Sequence, residues 1–203
     1  MQGFPGRRLE PVPGATDAKG QSAAIARKGI RRHERSRVSE AGNLVGAILT
    51  AALMLAAKQY TFGCGAVGRE ALTIAAAKTN LGFGQAIALG MFCNALVCLA
   101  VWLTYSARTT TDRILAVIPP IAAFVAAGFE HSVANMYFIP IGLLVKTQHG
   151  WLAGQEGLPD LSGLTWGSLV TDNLVPVTIG NLIGGAIMVG ALYWFVYLRR
   201  RPA

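Results

Sequence analysis

Two adjacent ionisable residues, Glu130 and His131, lie inside a long and otherwise mostly apolar stretch, residues 114–145. An ionisable side chain at membrane depth is costly, so such residues usually mark a substrate or ion pathway. Imidazole can be neutral or charged near neutral pH, which would let His131 hydrogen-bond to a passing anion or exchange a proton with it. The alternative is a core histidine that bonds a backbone carbonyl. The sequence predicts a pore or transport element centred on His131.

The backbone around this pair is predicted to be a broken helix. Gly128 lowers helix propensity, and Ser132 and Asn135 can satisfy backbone groups freed by a break. Three prolines are expected to interrupt the helix, namely Pro119, Pro120 and Pro140. Discontinuous helices that meet near the bilayer midplane are a known way to build an ion or substrate site.

The composition indicates an integral membrane protein. The chain is 53% hydrophobic and 14% charged, whereas soluble domains carry about 25% charged residues. Residues 1–40 hold nine of the 18 Lys and Arg residues, so the net positive charge does not argue for nucleic-acid binding. The three cysteines, Cys64, Cys93 and Cys98, lack metal-ligand spacing, and no nucleotide-binding loop is present. We expect no cofactor, no metal and no enzyme activity.

Four apolar segments are candidate membrane spans. Residues 1–40 are predicted to be a basic, disordered cytoplasmic tail, and residues 41–200 a transmembrane domain. The spans are predicted at residues 42–57, 86–105, 114–145 (broken) and 174–198. The first is short for a bilayer, which needs roughly 17–25 residues. The fold class is therefore an all-α integral membrane protein with four transmembrane segments.

The distribution of cations predicts the orientation in the membrane. The tail, the loop at residues 106–113 and the C-terminal arginines are basic, whereas the loop at residues 146–173 carries only Lys146. By the positive-inside rule, both termini are expected in the cytoplasm, with the protein in the plasma (inner) membrane.

A short internal repeat supports a duplicated architecture. Residues 42–47 read Gly-Asn-Leu-Val-Gly-Ala, and residues 180–186 read Gly-Asn-Leu-Ile-Gly-Gly-Ala. Each copy has small residues four apart, a spacing that lets membrane helices approach closely. Chance in a chain rich in Gly and Ala is the alternative. If the repeat is real, the first and fourth spans are equivalent members of an inverted three-plus-three repeat.

Several separated blocks resemble the formate/nitrite transporter family over about residues 41–200. They are residues 42–47, residues 93–102 (Cys-Asn-Ala-Leu-Val-Cys-Leu-Ala-Val-Trp), residues 128–140 around Glu130 and His131, and residues 173–181 (Asn-Leu-Val-Pro-Val-Thr-Ile-Gly-Asn). The resemblance implies a six-helix, inverted-repeat, aquaporin-like fold with broken helices. It also implies a homopentamer in which each protomer has its own pore for formate, nitrite, hydrosulfide or related anions.

The chain departs from the family at its beginning. Family members start with two further transmembrane helices, and residues 1–40 are too basic to contain a span. We expect these two helices to be lacking from this sequence, as in a fragment, a misassigned start or a degenerate paralogue.

The resemblance also implies roles for individual residues. His131 would be the central pore residue, Asn94 would lie beside it, and Lys78 would sit in an outer vestibule that attracts anions. Phe124 and Val97 would contribute to a hydrophobic constriction. Glu130 is expected to be structural, because a carboxylate facing the path would repel an anion. Asn173 and Asn181 are expected to flank a break at Pro176 and cap half-helices near the pore. For Asn94 the alternative is helix–helix hydrogen bonding, and for Lys78 a solvated loop charge.

The predicted function is transmembrane transport of small monovalent anions, either as a channel or coupled to protons. The partners are the anion, the lipid bilayer and further copies of the chain. The alternative is a truncated, non-conducting membrane protein that requires intact protomers or is non-functional.

Overall fold

The computed structural model describes residues 39–199, and the predicted tail lies almost entirely outside them. Within this part of the chain the regular structure is helical, with no strand. One 3₁₀ turn spans Gln59–Thr61. The helices are α1 (Ser39–Ala56), α2 (Ala66–Thr79), α3 (Phe83–Thr104), α4 (Thr110–Ala126), α5 (Ser132–Lys146), α6 (His149–Leu152) and α7 (Trp166–Tyr197). Three of them, α1, α3 and α7, are long and apolar enough to cross a membrane.

The expected broken span corresponds to the pair α4 and α5. Helix α4 ends at Ala126, α5 begins at Ser132, and Gly128 adopts φ 67° in the connection. A left-handed φ of this kind is readily available only to glycine, so Gly128 ends the helix. The prediction that prolines interrupt the helix is wrong. Pro119 and Pro120 lie within α4 and Pro140 within α5, because membrane helices tolerate proline when local adjustments satisfy the freed carbonyls.

Helix α7 begins earlier than the sequence suggested and has no break at Pro176. Thr165 and Ser168 form a reciprocal capping box that starts the helix. A wider π-type turn at Leu169–Leu174 precedes Pro176 and supplies the local adjustment that the proline needs, so the helix continues. The predicted break at Pro176 is therefore wrong.

The segment between the first two predicted spans contains a helix that the sequence analysis missed. Helix α2 lies there and packs against α5, where a Cβ on Gly142 would overlap the Ala75 side chain. The two helices share a buried apolar cluster with the segment before α7 and the start of α7, made of Leu72, Ala75, Ile139, Leu143, Val145, Leu164 and Leu169. This packing fixes α5, and with it the residue that precedes α5, His131.

Helices α3 and α7 make the closest approach among the membrane helices described. A Cβ on Gly180 would overlap the backbone of Ile87, and one on Gly184 would overlap the backbone of Met91. The small residues of the second repeat copy thus bring two backbones into contact. Helix α3 also packs against α4, so it links the first half of the broken span to α7, whereas α5 contacts α7 directly.

Candidate pore site around His131

His131 is the N-cap of α5. It adopts an extended conformation (φ −115°, ψ 117°), and its Nδ1 accepts a hydrogen bond from the Val133 backbone N–H at 3.2 Å. A ring nitrogen that accepts this bond carries no proton, so in the neutral imidazole the proton resides on Nε2. The side chain is partly buried. His131 therefore stabilises the helix start with one nitrogen and has an N–H donor on the other.

Asn181 joins the helix break to α3 and α7. Its Oδ1 accepts from the Ser132 backbone N–H at 3.1 Å and from the Ser132 hydroxyl at 3.2 Å. Its Nδ2 donates to the carbonyls of Gly90 at 2.9 Å and Glu130 at 3.0 Å. The first N–H of α5 is therefore satisfied by a side chain from α7, and Asn181 holds the backbone on both sides of His131.

Glu130 is buried, with 3% of its surface exposed, and is neutralised by a specific set of partners. Its Oε1 lies 2.7 Å from Lys78 Nζ. Its Oε2 accepts from Asn135 Nδ2 at 2.6 Å and from Asn173 Nδ2 at 3.3 Å. A buried carboxylate is tolerated only with this kind of pairing and hydrogen bonding. Glu130 is thus held by a lysine of α2 and by two asparagines, and its structural role stays a prediction.

Lys78 belongs to the last turn of α2 rather than to a loop. Only 16% of its side chain is exposed, and its ammonium group is paired with Glu130. Asn173 donates to the Lys78 backbone carbonyl at 2.9 Å. The solvated loop charge considered for Lys78 is thus not what the structure contains, because burial and pairing hold the side chain in place.

The two asparagines beside Glu130 bond to each other. Asn135 Nδ2 donates to Asn173 Oδ1 at 2.7 Å, and both residues are fully buried. Asn135 Oδ1 is buried and has no protein partner within the described residues. Buried polar atoms are nearly always satisfied, so this oxygen is an exception in an otherwise fully bonded network.

Asn94 makes a helix–helix contact. Its Nδ2 donates to the Asn181 backbone carbonyl at 2.6 Å, which joins α3 to α7 at the same residue whose side chain contacts the helix break. Asn94 is therefore connected to the helix break through Asn181, which hydrogen-bonds the backbone on both sides of His131.

The two residues expected at a constriction lie in different places. The Phe124 ring centroid is 6.1 Å from that of His131. Val97 lines a separate apolar cleft of about 330 Å³ between α3 and α7, together with Trp102 and Tyr193. The sequence analysis did not select the stacked pair Phe92 and Phe129, whose rings are 5.6 Å apart at the break. Phe129 could have been identified, since it directly precedes Glu130.

No group of three or more metal-ligating side chains occurs in the part of the chain that the structure describes. The site therefore consists of a histidine at a helix break, a buried ion pair and four asparagines. These features define a class: a helical membrane protein with a discontinuous span and a polar site at the discontinuity, as in channels and transporters.

Comparison with known proteins assigns the family. The family model described as formate/nitrite transporter matches residues 35–195. The chain is 44% identical over 161 residues to the formate channel FocA of Escherichia coli (strain K12), covering 78% of this chain and 56% of that protein. It is 40% identical over 170 residues to a probable formate transporter of Methanothermobacter thermautotrophicus, covering 77% and 56%. The chain belongs to the formate/nitrite transporter family, a family of channels and transporters rather than enzymes.

A solved structure shows the same fold. The chain matches a pentameric formate channel with formate bound at a TM-score of 0.71 and 42% identity, covering 77% of this chain and 63% of that one. The predicted family and the all-helical membrane fold are confirmed. The chain spans about half the length of the curated relatives that it matches.

Proposed function

We propose that this chain forms the His131 portion of a pore for formate or a similar small monovalent anion. The observation that carries the proposal is the position of His131 at the break between α4 and α5, with its Nδ1 committed to the helix cap. Two relatives are described as formate channels or transporters, which supports formate as the first anion to test.

The helix cap favours one way of binding the anion. The Nε2–H of neutral His131 can donate a hydrogen bond to a carboxylate oxygen. A charged imidazole would also carry a proton on Nδ1, which would then face the Val133 N–H and lose the cap. Because protonation of Nδ1 would break the helix cap, we favour an anion that accepts a hydrogen bond from neutral His131 over an anion that takes a proton from a charged imidazolium.

The electrostatics of the site are compatible with an anion. Glu130 would repel a carboxylate if its charge were free, but Lys78 balances it at 2.7 Å. The ion pair also leaves Lys78 little free charge with which to attract an anion from a distance. We therefore place the anion-binding contact at His131 and assign Lys78, Glu130, Asn135 and Asn173 to holding α2, α5 and α7 together. Phe124 would restrict water beside the histidine.

We further propose that the protein works in the inner membrane as a homopentamer, as the pentameric structural neighbour suggests. The cytoplasmic location of both termini, coupling to protons, and passage of nitrite or hydrosulfide stay predictions.

A second candidate function is a non-conducting membrane protein that becomes active only with further helices. The observation that favours it is the coverage of about half of each curated relative. The two candidates differ in whether the 203-residue chain alone conducts.

Formate uptake into proteoliposomes distinguishes them. The wild-type chain is compared with His131→Ala and with His149→Ala, which removes an exposed histidine at the start of α6. Uptake that is lost in His131→Ala and retained in His149→Ala supports the pore. Properly inserted wild-type protein that gives no uptake supports the second candidate.

A further inference from the structure

The two sides of the helix break are held in different ways. On the α5 side, Asn181 hydrogen-bonds the Ser132 N–H and the Glu130 carbonyl. Lys78 pairs with the Glu130 carboxylate on the same side. On the α4 side, residues 121–129 carry no polar side chain, so they make no side-chain hydrogen bonds of their own. The end of α4 must therefore be positioned by its backbone and by apolar packing.

The backbone at the end of α4 forms a Schellman motif, with Ala127 as the C-cap. The Gly128 N–H donates to the Val125 carbonyl at 3.1 Å. The Phe129 N–H donates to the Phe124 carbonyl at 3.0 Å. This pair of bonds turns the chain back over the last turn of the helix, and a hydrophobic contact between the outermost two positions commonly accompanies it. Phe124 and Phe129 are therefore tied to each other.

Phe129 is fixed in turn by a ring on a different helix. Its ring stacks on that of Phe92 of α3, with the centroids 5.6 Å apart and the planes inclined by 24°. Offset stacking at this separation is a favoured arrangement of aromatic pairs. Lipid supplies no hydrophobic force between membrane helices, so their association depends on packing contacts of this kind. The stack therefore attaches the end of α4 to α3.

Phe124 lies beside the residue at which we place the anion. Its ring centroid is 6.1 Å from that of His131, with the planes inclined by 37°, and both side chains are partly buried. The Nε2–H of His131 can donate to the carboxylate of formate or of a larger acid, so the imidazole alone does not select by size. The apolar ring beside it can, because apolar contacts discriminate one additional carbon by about tenfold or more.

We propose that Phe129 is a positioning residue that sets the size of the anion accepted at His131. Its stack on Phe92 holds the end of α4, and the end of α4 holds Phe124 against the imidazole. Gly128 gives this connection no rigidity of its own, since glycine is conformationally permissive and no described atom lies within 4 Å of where its Cβ would be. The selection of anions rests on the proposed function, whereas the dependence of Phe124 on Phe129 rests on the geometry alone.

The ratio of two fluxes tests the size selection. Proteoliposomes that hold the 203-residue chain take up formate or acetate, which is larger by a methyl group. We expect Phe129→Leu and Phe92→Leu each to lower the ratio of formate to acetate uptake by about fivefold, because Phe124 is no longer held in place. Phe92→Tyr, which keeps the ring, should retain the wild-type ratio. A general loss of folded protein would lower both uptakes together, and an unchanged ratio in both leucine variants would overturn the proposal.

Thiol labelling tests the positioning without transport. His131→Cys is made in a chain whose native cysteines are changed to alanine, namely Cys64, Cys93 and Cys98. The rate of its reaction with N-ethylmaleimide is then measured in detergent. We expect Phe124→Leu and Phe129→Leu each to speed this reaction by about fivefold, since each takes an aromatic ring away from position 131. The two substitutions together should give no further gain, because Phe129 acts through Phe124.

The matched control is Phe83→Leu, the same substitution at an exposed ring of α3. It should leave the flux ratio and the labelling rate at their wild-type values. A labelling rate that does not change in Phe129→Leu, or gains that add when Phe124→Leu is combined with it, would overturn the proposal. A wild-type chain that takes up no formate would contradict the proposed function, and the labelling rates would then decide whether Phe129 positions Phe124.

Discussion

The Lys78 ammonium group lies 2.7 Å from the Glu130 carboxylate, and this contact joins the end of α2 to the residue before His131. The two residues are 52 positions apart in sequence. The pair therefore fixes the broken span to α2, and the lysine balances the charge of the carboxylate next to the proposed anion site.

Removing one member of this pair should destabilise the protein. Glu130→Gln leaves the Lys78 charge largely buried without its partner, so we expect the free energy of unfolding to fall by roughly 2–4 kcal/mol. This value is lower than for a fully buried pair because 16% of the Lys78 side chain is exposed to solvent. The measurement is the free energy of unfolding in detergent. The control is Glu70→Gln, which changes an exposed carboxylate of α2.

The double variant Lys78→Met/Glu130→Gln separates pairing from packing. If the pair acts as a unit, the double variant loses less stability than the sum of the two single variants. Additive losses would show that the two side chains contribute independently and would contradict the coupling.

The contact between α3 and α7 should not tolerate a methyl group at Gly184. A Cβ there would overlap the Met91 backbone, so we expect Gly184→Ala to cost about 1–3 kcal/mol of unfolding free energy. Gly190→Ala is the matched control on the same helix, because its Cβ would meet only Gly185 O at 3.8 Å. It should be neutral or gain up to about 1 kcal/mol from helix propensity. Similar losses in both variants would contradict the close approach.

Asn181 should matter more than Asn94. Asn181→Leu leaves the Ser132 N–H and the carbonyls of Gly90 and Glu130 without their partner, so we expect a loss of about 1–3 kcal/mol. Asn94→Leu removes one bond to a backbone carbonyl, worth about 0.6 kcal/mol in membrane proteins. Thermal unfolding of both variants in the same detergent makes the comparison, and a larger effect of Asn94→Leu would contradict this ranking.

The sequence predicted the helical membrane fold and the position of the broken span, because apolar runs and the Gly128 to His131 segment are local signals. It did not predict that α4 and α7 continue through Pro119, Pro120 and Pro176. Whether a proline breaks a membrane helix depends on neighbouring helices and π-type turns, which a single sequence does not reveal.

The sequence predicted most of the residues of the candidate site, but only some of the contacts between them. His131, Glu130, Lys78 and Asn181 were selected, yet the Lys78 to Glu130 pair was not. That pair depends on the packing of α2 against α5, and α2 has no apolar run long enough to stand out in the sequence.

Formate flux through three His131 variants tests the central proposal most directly. His131→Asn can still cap α5 through its side-chain oxygen and can still donate an N–H to an anion. His131→Asp can cap α5 but presents a carboxylate to the anion, and His131→Ala can do neither. Proteoliposomes are prepared with the 203-residue chain.

We expect His131→Asn to retain a measurable share of wild-type formate flux. We expect His131→Asp and His131→Ala to lose about 90% or more of the flux, because both remove the N–H donor that the anion requires. His149→Ala should match wild type. Wild-type flux in His131→Ala, from protein inserted to the same extent, would contradict the assignment of His131 as the residue at which the anion binds.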